Sequence, residues 1–75
     1  MRRRNYWVTR ADGENIGEDY SGFMFYTLAE ADGFIREEWE FDREQIKSGY
    51  YEPDHPIPTF IIEVQKVVKT IERSS

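Results

Sequence analysis

The spacing of apolar residues changes period along this chain, and each change predicts an element. From Thr27 to Trp39 the period is helical. Leu28, Ala31, Ile35 and Trp39 fall on one face at about 100° per residue, with Phe34 at its margin. Ala29, Glu30, Arg36, Glu37 and Glu40 fall on the other. Thr27-x-x-Glu30 has the form of a capping box, in which the hydroxyl accepts from an early backbone N–H. The pattern therefore predicts an amphipathic helix starting at Leu28. Past Trp39 it becomes ambiguous. Ile46 would join the stripe, but Asp42 would enter it and Phe41 would leave it. We expect a break near Glu40–Asp42, with Asp42 capping a possible second short helix that Gly49 stops in a left-handed conformation. Gly33 lies on the polar side. It is tolerated there, at about 1 kcal/mol relative to Ala, or marks a break after Asp32, or marks close approach by a partner's backbone.

On both sides of the helix the period shortens to two. Asn5–Ala11 is rich in β-branched and aromatic residues and predicts a strand, with Tyr6, Val8 and Arg10 on one face and Trp7 and Thr9 on the other. Asp12-Gly13 marks a turn, and Glu14–Gly22 reads as an exposed loop. Phe23–Tyr26 predicts a short second strand with Phe23 and Phe25 on one face. All three prolines lie in Tyr50–Pro58, an extended connection. Thr59–Glu72 satisfies both periods. Ile57, Ile61, Val64, Val68 and Ile71 match a helical seam, whereas Phe60, Ile62 and Val64 alternate as in a strand. Its richness in Val and Ile favours strand, because χ1 stiffness suits a pleated surface. The alternation slips near Gln65–Val68, so a bulge or a strand end is expected there.

Together these elements predict an α+β fold: a small antiparallel sheet of about three strands in ββαβ order, with one main amphipathic helix on one face. Leu28, Ala31, Ile35 and Trp39 should meet Val8, Phe23, Phe25, Phe60, Ile62 and Val64. Residues 1–75 are expected to form a single domain, with 1–4 as a flexible basic arm.

Length and composition narrow the picture. A chain of 75 residues buries only about 60% of its unfolded surface, so its core is marginal. There is no Cys to add a disulfide or a thiolate metal site. Two Trp, five Tyr and five Phe must supply much of the buried area. A homodimer through the Val- and Ile-rich C-terminal strand is a plausible further source of stability. No run approaches the ~20 apolar residues of a membrane span, and the basic start has no apolar region after it, so a cytoplasmic location with no membrane association is expected.

The net charge is −5, and its distribution is uneven. Acids outnumber bases in residues 30–44 by that whole amount, while Arg2, Arg3, Arg4 and Arg10 lie towards one end and Lys66, Lys69 and Arg73 towards the other.

Candidate chemistry is sparse. The stretch from Asp12 lacks the EF-hand ligands at positions five and twelve, so calcium is not expected. With one histidine and no Cys, neither is a zinc site, and no metal or cofactor is assigned. The glycines do not form a phosphate-cradling motif. Asp54-His55 is a remote catalytic possibility without a recognisable nucleophile. The favoured function is therefore a non-catalytic protein-binding module, a small accessory or inhibitory protein. Glu30, Glu37, Glu38 and Glu40 would present an acidic helical face to a basic partner surface. The alternative is nucleic-acid binding by Arg2, Arg3 and Arg4 with Tyr6 and Trp7 as stacking residues. The acidic balance of the chain weighs against it.

Overall fold

The structure is a computed structural model that describes residues 3–11 and 23–75. In chain order its elements are β1 (Tyr6–Arg10), β2 (Met24–Phe25), α1 (Leu28–Ser48), β3 (Phe60–Val64) and β4 (Lys69–Arg73). The strands form one sheet in the order β2-β1-β3-β4, antiparallel throughout. The expected α+β class is present, with four strands in ββαββ order in place of three in ββαβ.

The register decides which face is buried. Tyr6 lies opposite both Phe25 and Val64, and Ile62 lies opposite both Val8 and Ile71. Directly paired residues share a face, so these six, with Phe60, form one surface, and α1 covers it. Val8, Ala31, Ile35, Phe60 and Ile62 are buried together, with Tyr6, Phe25, Leu28, Phe34, Trp39 and Ile71 packed around them. Burying each of the larger aliphatic side chains is worth about 1.5–3 kcal/mol. Phe34 lies between Phe23 and Phe25, at centroid distances of 5.1 and 5.4 Å, which ties the helix to the β2 edge. Arg73 closes the opposite edge, its Nε donating to Asp32 Oδ1 at 2.9 Å.

The fourth strand arises where the alternation slips. Residues 59–72 do not run as one strand. The chain reverses at Gln65–Val68, and Val64 pairs with Lys69. Ile62 and Ile71 are an odd number of residues apart. In a single extended strand they would point to opposite faces. A hairpin puts both against the helix, so burial of Ile71 favours the turn.

The helix differs from expectation in the other direction: it runs unbroken to Ser48. Its start is as the sequence implies. The Thr27 Oγ1 accepts from the Glu30 N–H at 3.1 Å, and the Thr27 hydroxyl donates to the Glu30 carboxylate at 3.2 Å. Gly49, at φ 89°, ends it, its N–H donating to the Ile46 carbonyl. Asp42 is half-buried and Phe41 is exposed. Neither breaks the helix, because the core stripe ends at Trp39 and no core residue comes from the last nine helical positions. Without a sheet beneath, the apolar period is no longer enforced, and continuous backbone hydrogen bonding carries the helix on. Gly33 sits inside it, and beyond its chain neighbours and the helix's own backbone nothing described lies within 4 Å of where a Cβ would be, so no other element approaches it closely.

The return segment holds the overhanging end. Trp39 Nε1 donates to the Pro58 carbonyl at 2.7 Å, and the Tyr51 N–H donates to the Gln45 carbonyl at 3.1 Å. Arg43 also hydrogen-bonds Ser75. The molecule is elongated, 44 × 22 × 19 Å. No helix in the described residues is long and apolar enough to cross a membrane.

Candidate functional site

The four candidate glutamates lie on α1 in unlike surroundings. Glu30 belongs to the first turn, where it is engaged with the Thr27 cap. Glu40 lies at a boundary, one turn from Glu37 and Glu44 on one side and from Arg36 and Arg43 on the other. Glu37 and Glu38 share a third surface, centred on Phe41. At about 100° per residue, Glu37, Glu38 and Glu44 lie within roughly 60° of Phe41, and no base does.

Phe41 is the residue that sequence periodicity does not single out. Its departure from the apolar stripe was an argument for ending the helix there. In the continuous helix the same departure makes it an outward-facing aromatic, 55% exposed. Tyr50, just past the Gly49 stop, is 83% exposed. Glu44 was part of the acidic run, and its place beside Phe41 follows only from helix continuity.

The electrostatics of this surface are unfavourable to the isolated chain. The Glu38 carboxyl is held above its ordinary range, first by partial burial, then by the charges of Asp42 and Glu37. Glu38/Asp42 and Glu40/Glu44 are like-charge pairs at i,i+4, each costing about 0.2–0.5 kcal/mol in a helix. Acids in the C-terminal half also oppose the negative end of the helix dipole.

The nucleic-acid candidates are dispersed. Arg2 lies outside the described residues. Arg4 sits over the Tyr26 ring at 5.2 Å, and Arg3 borders a hollow with Asn5, Gln65 and Lys66. Tyr6 faces the helix and packs on the core, while its neighbour Trp7 lies on the opposite face across from Met24 and Glu63. Adjacent strand residues point to opposite sides, so these two rings do not form a common stacking platform.

Asp54 is exposed, and the His55 ring stacks on Tyr51 at 4.1 Å between centroids. This contact packs the Pro-rich return segment. Among the described residues no group of three or more His, Asp or Glu side chains is arranged to hold a metal ion. Comparison with known proteins gave no match to a family model, a curated protein or a solved structure.

Proposed function

We propose that this protein is a non-catalytic binding module whose overhanging helical end docks on a basic protein surface. The observation that carries the reading is the exposed Phe41 surrounded by Glu37, Glu38 and Glu44. Aromatic side chains are enriched at the centres of interfaces, with polar groups at the rim. Here Phe41 supplies apolar contact area and the three carboxylates supply orientation and fast encounter. The same groups contribute nothing to the core, and the like charges cost the free chain stability. A cationic partner would relieve that cost, including the crowding of Glu38.

The test is capture from native lysate by three forms of the chain. The wild type and Glu72→Lys, which changes charge on the exposed β4 strand by the same amount per site, should retain the same partner. The triple variant Glu37→Lys/Glu38→Lys/Glu44→Lys should lose it. Association with the purified partner should slow as salt rises from about 10 mM to about 150 mM, where the Debye length falls to about 8 Å. Retention by the triple variant, or association indifferent to salt, counts against the reading.

A further inference from the structure

The opposite end of the molecule carries the complementary chemistry. The turn between β3 and β4 reads Gln65-Lys66-Val67-Val68, with Lys69 opening β4. Val67 and Val68 are 58% and 90% exposed. Lys66 and Lys69 flank them, and Arg3 borders the same hollow as Lys66. Val68 also has φ 49°, the left-handed region that a β-branched side chain adopts only under strain. A strained, almost fully exposed valine contributes little to folding. Leu28, at the start of α1, shares a second hollow with Lys66, Val67 and Lys69, so the turn lies at the N-terminal end of the helix. The turn thus presents two exposed valines with three bases about them, Glu63 bordering the hollow of Val68 and Lys69 as the one acid there, while in the C-terminal half of α1 Phe41 stands among Glu37, Glu38 and Glu44. The helix dipole, positive at its N-terminus, adds to this separation.

We propose that the occupant of the acidic end is a second copy of this chain, docked through its β3–β4 turn. Val67 and Val68 of one molecule pack on Phe41 of the other, while Lys66, Lys69 and Arg3 meet Glu37, Glu38 and Glu44. This rests on the reading of the acidic end as a binding surface and names its partner. The dimer expected through β4 is a different contact. In the symmetric antiparallel register centred on Ile71, that pairing sets Lys69 against Arg73 of the other copy, like charges facing each other. A contact between one turn and one helical ridge falls in the small, weak class of interfaces, below about 1,200 Å². It should therefore be strongly salt-dependent.

Sedimentation velocity over a concentration series at low salt tests this with complementary charge reversal. The wild type should associate, with at least tenfold weakening on moving from about 10 mM to about 150 mM salt. Glu37→Lys/Glu38→Lys/Glu44→Lys alone and Arg3→Glu/Lys66→Glu/Lys69→Glu alone should remain monomeric, because each presents like charge at both ends. Their equimolar mixture should associate again. A monomeric wild type, a mixture that stays monomeric, or a single variant that still associates would each overturn the proposal; the last would place the contact elsewhere, as at the β4 edge. Val67→Ser/Val68→Ser changes neither charge nor core and gives a second route: self-association should fall while binding of an oligolysine peptide is kept. The same peptide separates the two readings. A wild type that binds oligolysine but does not self-associate defeats only the self-docking, and one that does neither defeats both.

Discussion

Glu38 is half-buried on α1, with Asp42 one turn on and Glu37 beside it. Both burial and the neighbouring charges favour its protonated form in the folded chain, so its folded pKa lies above the unfolded one. The folded state then holds this proton more tightly. The contribution to stability is complete below the unfolded value and is lost as pH rises through the raised folded value. Glu38→Gln removes that loss. Chemical denaturation should find the variant more stable than the wild type at pH 7 by about 0.2–0.5 kcal/mol, the scale of one like-charge helix pair. The difference should vanish once pH falls below the ordinary carboxylate range. A variant less stable at pH 7 would show that the carboxylate has a favourable partner. That Glu38 belongs to an acidic stretch of the helix was legible in the sequence. Its crowding was not, because that depends on the helix continuing far enough to bring Asp42 round to the same side.

At the level of elements, the start of α1 was the most legible feature, since Thr27 and Glu30 fix it locally and Leu28, Ala31, Ile35 and Trp39 fix its inner face. Its end was less so. Periodicity reports contact with a core, and past Trp39 there is none to report. The β3–β4 hairpin was hidden for a related reason: its turn has neither Gly nor Asn at the left-handed position, which Val68 occupies instead. Only the slip in alternation marked it. This gives a specific expectation. Val68→Asn places a residue that tolerates positive φ where the backbone requires it. It should stabilise the fold by about 1 kcal/mol, read as a higher denaturation midpoint with an unchanged slope. A loss of stability would mean that the turn relaxes to accommodate valine without strain.

Across the whole molecule, apolar burial and charge occupy different regions. The core spans β1, β3 and α1 as far as Trp39, whereas Glu37 and Glu38 project from the outer side of the last turn of that part and Phe41 and Glu44 from beyond it. The sequence showed both features, an apolar stripe and an acidic run, but as two sides of one helix; the structure also separates them along its length. That separation predicts a gradient of local stability, because protection against opening follows buried contacts. Amides of residues 31–38 should exchange with solvent only through global unfolding. The segment 41–48 is held by the Gly49 cap, the Tyr51–Gln45 hydrogen bond and the Arg43–Ser75 contact. Its amides should exchange at least about tenfold faster, which corresponds to a difference of about 1.4 kcal/mol in opening free energy. Native-state hydrogen exchange resolves the two segments within one helix. Equal protection through Ser48 would mean that the overhang unfolds with the core and that its anchors are stronger than their partial exposure implies. If the gradient holds, adding oligolysine should slow exchange selectively around residues 41–45, since a ligand on the acidic end stabilises the segment it covers. Uniform slowing along the helix would indicate stabilisation of the whole fold without docking at that end.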